Sequence, residues 1–181
     1  MQLEDIIEQI ENVSKAEIKR AAPADCDGIK ELIQKSNPKD PYGKMILGYL
    51  TSLCAEYIHP EVFSLEVNYL DYVGFELERG SIEVETAGDM LGACMRGGKI
   101  IAKRAGEETG SGMAGGEIIA DEIKSIGNTI GGRITAKKVG KVSKSQGAEI
   151  FIDGTRFKRG LIESLFGKRP HKQVHPEKCQ K

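Results

Sequence analysis

The chain has 181 residues, of which 22 are glycine, five phenylalanine and none tryptophan, and its formal net charge is −1. That length holds one domain with an appendage, and the scarcity of rings excludes an aromatic core, leaving Ile, Val, Ala and Met to fill a narrow interior. Charge is split along the chain: residues 1–132 carry 13 basic and 23 acidic side chains and residues 133–181 carry 13 and 4, a polarity that steers charged partners or draws the two ends together.

Residues 1–60 read as a helical unit. Leu3, Ile6, Ile7, Ile10 and Val13 have the three-and-four spacing of an amphipathic helix within residues 3–22. Ser14 and Glu17 have the spacing of a capping box, which starts a second segment that Ala22-Pro23 breaks. Ile29, Leu32 and Ile33 predict another helix, ended by Asn37-Pro38. A third spans about Tyr42 to Tyr57, with Met45, Ile46, Tyr49, Leu50, Leu53 and Cys54 on one face. His59-Pro60 marks the boundary.

From residue 61 a short strand returns six times. The copies are Ser64-Leu65-Glu66-Val67, Ser81-Ile82-Glu83-Val84, Lys99-Ile100-Ile101-Ala102, Glu117-Ile118-Ile119-Ala120, Arg133-Ile134-Thr135-Ala136 and Glu149-Ile150-Phe151-Ile152. Their first apolar residues, Leu65, Ile82, Ile100, Ile118, Ile134 and Ile150, recur at a near-even interval. Such a return is that of a solenoid whose turns bury their apolar faces on one another. Side chains alternate along a strand, so the set from Leu65/Val67 to Ile150/Ile152 lines the interior and the positions between face out. Flanking positions then stack as Ser81, Lys99, Glu117, Arg133, Glu149 and as Glu85, Lys103, Asp121, Lys137, Asp153. Signs alternate in both columns, which favours in-register parallel stacking, since opposed charges across strands attract and like charges repel. Gly97-Gly98, Gly115-Gly116 and Gly131-Gly132 stand before three of the strands, and Gly80 and Gly147 before two others; a sharp corner there calls for positive φ. Asp71-x-x-Gly74-x-x-Leu77 and Asp89-x-x-Gly92-x-x-Met95 look like the second side of each coil.

The open ends of a solenoid need covers. Residues 1–60 are placed to cap the first coil. At the other end Asp153-Gly154 predicts a tight turn, with Thr155 to Lys158 returning as a strand. Leu161, Ile162, Leu165 and Phe166 then form a lower cap that closes the β-helix region at residue 167, and residues 168–181 read as a basic, flexible tail.

The stretch Gly88-Asp89-Met90-Leu91-Gly92-Ala93-Cys94-Met95-Arg96-Gly97-Gly98-Lys99-Ile100-Ile101, repeated as Gly110-Ser111-Gly112-Met113-Ala114-Gly115-Gly116-Glu117-Ile118-Ile119, resembles the glycine-rich (GXGXG) repeat family. That family is shared by the β-helical subunit of formylmethanofuran dehydrogenase and the C-terminal domain of the glutamate synthase large subunit. The resemblance covers about half the chain and implies a right-handed parallel β-helix of about six coils, agreeing with the usual hand of parallel crossovers. It implies a structural element, not a catalytic one, packed against metal- or flavin-bearing subunits of an oxidoreductase complex. The glutamate synthase variant would act with separate glutaminase and flavin subunits.

No residue set in the sequence assembles a catalytic site, and no cofactor is expected to bind this chain directly. The glycine pairs recur at every coil and lack the setting of a phosphate-binding loop. Asp71 and Asp89 are read as turn caps in preference to a carboxylate pair, and Cys94 as a small buried residue. The isolated cysteines Cys26, Cys54, Cys94 and Cys179 are read as free thiols. His171, His175 and Cys179 are spaced four apart, but Pro170 and Pro176 interrupt any helix that would align them on a metal. The outward central column, Glu83, Ile101, Ile119, Thr135 and Phe151, turns apolar midway, which marks Ile101, Ile119 and Phe151 as a candidate interface unless the N-terminal helices cover them. Partners are therefore other protein subunits or a second copy. Basic residues from Arg133 onward offer a nucleic-acid alternative, weakened by the near absence of stacking aromatics. No leader-like or membrane-spanning run is evident, so a cytoplasmic protein is expected.

Overall fold

The computed structural model describes residues 14–67 and 69–158. Short polar side chains start each of the three helices, α1 (Lys15–Ala21), α2 (Cys26–Lys35) and α3 (Pro41–Ile58). Ser14 and Glu17 form the expected capping box, Asp25 accepts from the Gly28 amide at 2.8 Å and Asp40 from the Gly43 amide at 2.8 Å. Helix α2 stops at Lys35, ahead of Pro38, whereas Pro41 opens α3, where a missing N–H costs nothing.

Six parallel strands follow: β1 (Val62–Leu65), β2 (Ser81–Thr86), β3 (Lys99–Ala105), β4 (Glu117–Ile126), β5 (Arg133–Val142) and β6 (Glu149–Ile152). Each pairs only with its sequence neighbours. The chain therefore climbs one strand per turn, and these residues form a β-solenoid of about five turns. Asp153 and Gly154, at φ 47° and 72°, then turn it back as the antiparallel β7 (Thr155–Arg156), the predicted hairpin.

Period-two alternation decides what is inside. Ile82, Ile100, Ile118, Ile134 and Ile150 stack in register and are at most 2% exposed. Each such side chain contributes about 1.5–3 kcal/mol by burial. Beside them Val84, Ala102, Ala120 and Ala136 form a thinner buried column, and Leu77, Met95 and Met113 close the interior from the opposite wall. The first coil departs from the expected register. Phe63, not Leu65, pairs with Ile82, and Leu65 pairs with Val84. The interior set thus begins at Phe63/Leu65, and Val67 is only half-buried. The step from Phe63 to Ile82 is longer than any later one, and its wall contains a left-handed residue, Tyr69, with no counterpart in later coils.

The second wall of each coil is built differently. Tyr72, Gly74 and Glu76, then Met90, Gly92 and Cys94, then Glu108, Gly110 and Gly112 all have φ between 54° and 72°. Alternate left-handed residues turn successive amides toward opposite neighbours. Met90 N donates forward to Glu107 O at 2.8 Å and Cys94 N to Ser111 O at 2.8 Å, while Gly92 N donates back to Val73 O at 2.8 Å. The wall is therefore hydrogen-bonded without being a strand. Asp71 and Asp89 act as the expected caps: Asp71 Oδ1 accepts from Asp89 N at 2.8 Å, and Asp89 Oδ1 from Glu107 N at 2.7 Å.

Corner glycines divide their work. Gly80, Gly98, Gly116, Gly132 and Gly147 have φ between 69° and 88°, as the corners require. Gly97, Gly115 and Gly131 do not; they are needed because an added Cβ would lie 2.1, 2.3 and 2.5 Å from the carbonyls of Glu78, Arg96 and Ala114 in the preceding coil. Expecting positive φ from both members of each pair is corrected to one member each.

Helix α3 covers the first coil. Its Thr51 hydroxyl accepts from Gly74 N at 2.9 Å and Ser52 Oγ donates to Phe75 O at 2.9 Å, satisfying backbone groups that face no earlier coil. Gly48 lets the helix approach so closely that a Cβ would lie 2.2 Å from Tyr72 O. Lys44 reaches Asp71 at 2.9 Å, and Lys15 of α1 pairs with Glu76. Helices and coils share one hydrophobic core, from Ile18 to Ile150. Residues 1–13, the expected lower cap at residues 161–166 and the tail at residues 168–181 lie outside the described residues.

Candidate functional site

The outward face of β2 to β6 is a grid of three columns. One edge reads Ser81, Lys99, Glu117, Arg133, Glu149; the other Glu85, Lys103, Asp121, Lys137, Asp153. Between them stand Glu83, Ile101, Ile119, Thr135 and Phe151, paired in that order.

Both charged columns form the ion pairs that their sign order predicts. Lys99 meets Glu117 at 3.2 Å, Arg133 meets Glu149 at 2.8 Å, Lys103 meets Glu85 at 3.1 Å and Lys137 meets Asp121 at 2.8 Å. The Arg133 hydrogen bond holds the Glu149 carboxyl below the usual range, and the hydrogen bond to the Asp121 carboxylate raises Lys137. Two further pairs, Lys138–Glu122 at 3.6 Å and Lys124–Glu107 at 2.7 Å, continue the pattern around the corner. The sequence pattern hid these pairs because Glu107, Glu122, Lys124 and Lys138 lie beyond the repeated core of each copy. Arg133, Lys137 and Lys138, among the basic residues of the nucleic-acid alternative, are thus each matched by a carboxylate within the protein. That leaves less of their charge for a nucleic acid.

The central column keeps its apolar stretch. Ile101, Ile119, Thr135 and Phe151 are half-buried, and Arg133 lies over the Phe151 ring at 5.6 Å. Over β1 to β4 the face hollows into an open groove of about 550 Å³, with Ile101 and Ile119 on its floor and Ser64, Glu66, Glu83 and Glu85 at its acidic end. No described helix lines this groove; the helices stand on the end of the solenoid. Cover by α1 to α3, the competing explanation for the strip, does not occur among the described residues.

Elsewhere the residues weighed for chemistry stay apart. Among the described residues no three His, Cys, Asp or Glu side chains converge as metal ligands; His171, His175 and Cys179 lie outside them. Cys94 is exposed, not buried as expected, because its left-handed φ of 55° turns the side chain out of the coil. Cys54 is buried against the start of α2, its Sγ 3.7 Å from Cys26 O, and burial first, then the Cys26 thiol, pushes its pKa upward. It is held as an unreactive thiol. His59 is exposed at the junction before Pro60. No helix among the described residues is long and apolar enough to cross a membrane.

Compared with family models, curated proteins and solved structures, the chain matches none.

Proposed function

We propose that this chain is a non-catalytic scaffold or interaction subunit that docks on other protein through the outward strip of Ile101, Ile119 and Phe151. One observation carries this reading: on a face where the flanking charges pair between coils, the central column is apolar for two successive strands and again at Phe151. Desolvating such a column favours association, and the paired charges around it form a polar rim. The left-handed positions, corner glycines and aspartates are all used in joining one coil to the next, so they supply architecture in place of a reaction centre.

The Met-x-Gly-Gly-x-Ile repeats support a place beside a metal- or flavin-bearing subunit, as in the resembled family. Replacing Ile119 and Phe151 together by Asp tests the docking reading. The variant is expected to keep its far-UV spectrum and unfolding midpoint and to lose the proteins that co-purify with the wild type from its own cells. Undiminished co-purification would remove the strip from consideration.

A further inference from the structure

The charge pattern on this face also selects an occupant. Counting only outward positions, β2 presents Glu83 and Glu85, β3 presents Lys99 and Lys103, β4 presents Glu117 and Asp121, and β5 presents Arg133 and Lys137. The rows alternate in sign, and the two isoleucines sit in the middle pair of rows. A surface of this kind is self-complementary when acidic rows face basic ones, and one such arrangement overlaps all six rows and sets isoleucine on isoleucine. Let a second copy lie face to face with the first, related by a twofold axis that runs along the strands between β3 and β4. The order of rungs is then reversed while position along the strand is kept. Lys99 meets Glu117 of the second copy, Lys103 meets its Asp121, Glu85 meets its Lys137, and Ile101 meets its Ile119. Because Lys99–Glu117, Lys103–Glu85 and Lys137–Asp121 already pair within each copy, the facing charges extend those exposed pairs into a network across the two copies.

Axes between other adjacent strands keep the signs but overlap four rows or fewer and never set Ile101 on Ile119, and the remaining twofold arrangements fail on charge. An axis along the solenoid sets β3 on β3, lysine against lysine. An axis centred on β4 sets β3 on β5, again both basic. Like charges brought face to face repel and specify against those modes. Resting on the docking reading above, we propose that this face is the interface between two copies of this chain with antiparallel solenoid axes, the twofold axis passing between β3 and β4. In it the Phe151 ring falls over the small Ser64 at the acidic end of the groove and carries Arg133 toward Glu83. One mismatch remains at the periphery, Asp153 against Glu66, in the outermost pair of rows.

Six rows spaced about 4.8 Å apart, each about 20 Å wide, give a footprint on the order of 600 Å² per copy, the low end for a specific dimer. The pairing is therefore concentration-dependent, and salt weakens it by screening the rim.

Sedimentation equilibrium of the full chain from low to high micromolar concentration reads the mass. Zero-length carboxyl–amine cross-linking of mixed isotopically light and heavy copies reads the register. Within one copy Glu85 and Lys137 are three rungs apart, about 14 Å, beyond such a link. The expected results are a dimer that dissociates on dilution and with salt, mixed-isotope links between Glu85 and Lys137, monomer for Ile119→Asp, and at least tenfold weaker pairing for Lys137→Glu, which changes no interior residue. A monomer at every concentration, a dimer indifferent to Lys137→Glu, or links joining like rows would overturn the proposal. If the wild type is monomeric yet Ile119→Asp still loses a different protein, the second copy is excluded and the docking reading stands. If Ile119→Asp alters neither, both fall.

Discussion

Each coil has two walls that do the same job with opposite conformational means. On the strand wall every residue is extended, side chains alternate in and out, and ion-pair columns reinforce the ladder. On the facing wall of the first three coils every second residue is left-handed, including Tyr72, Met90 and Glu108, which are not glycine. A left-handed L-residue costs about 1–2 kcal/mol, so that wall is strained wherever a side chain replaces glycine. The strain is tolerated because it turns each amide toward a carbonyl of an adjacent coil. Where the repeat shortens, between Ile118 and Ile134, no left-handed residue occurs before Gly132. The strained wall is what the shorter repeat leaves out.

The sharpest way to break this contrast is to substitute two positions of one coil that share a conformation. Gly92, at φ 64°, would place a Cβ 2.6 Å from Ile118 Cδ1, adding overpacking to backbone strain. Gly92→Ala is expected to cost about 3 kcal/mol. Cys94, at φ 55°, already bears the strain and is exposed. Cys94→Gly relieves it, offset in part by the greater freedom of glycine in the unfolded chain, for a net gain of about 0.5–1 kcal/mol. Urea unfolding midpoints read both. Equal losses would mean that the left-handed wall is not strained at Cys94.

The cap tests what the same wall needs when no coil precedes it. Thr51 is fully buried and accepts from Gly74 N. Thr51→Val keeps the shape and removes the acceptor, leaving that amide unpaired at a cost of about 2 kcal/mol. Amide exchange at Gly74 should accelerate by more than exchange at Ile100 inside β3. Uniform acceleration would mean that the helix does not protect the coil end locally.

Strand walls were legible in the sequence because period two and a near-constant repeat act together; Ile82, Ile100, Ile118, Ile134 and Ile150 could be aligned by eye, and the charged columns followed. The first rung was misplaced because Ser64-Leu65-Glu66-Val67 imitates Ser81-Ile82-Glu83-Val84, and the bulk of Phe63 decides the matter only when the interior can be seen. The left-handed wall was visible only as Asp-x-x-Gly, since Tyr72, Met90 and Glu108 carry no compositional mark of positive φ. Thr51 and Ser52 had no sequence signal as cap acceptor and donor; their partners, Gly74 and Phe75, each lie 23 residues further along the chain. The strip at Ile101, Ile119 and Phe151 was found because an apolar residue at an outward position contradicts the alternation that everything else on the strand obeys.

The charged columns should contribute least, and their pH dependence separates them from the packing beneath. Hydrogen bonds from Arg133 and Lys124 hold the carboxyls of Glu149 and Glu107 below their ordinary value of 4.5. A depressed folded-state pKa means that the native state binds fewer protons than the unfolded chain around that pH. The stabilisation is complete above about pH 4.5 and is lost as pH falls through the folded values. Lys124 and Lys137 are raised above 10.5 by Glu107 and Asp121, so their contribution is complete below that pH and disappears as pH rises through the folded values. Stability should therefore be level between these limits and fall at both. Glu107, Lys124 and Lys137 are exposed and Glu149 is half-buried, so the fall should shrink in high salt, whereas the Gly92→Ala loss should not. Arg133→Gln should flatten the acid limb by removing the partner that depresses Glu149. An acid limb as steep in that variant as in the wild type would place the titrating carboxylate elsewhere than at Glu149.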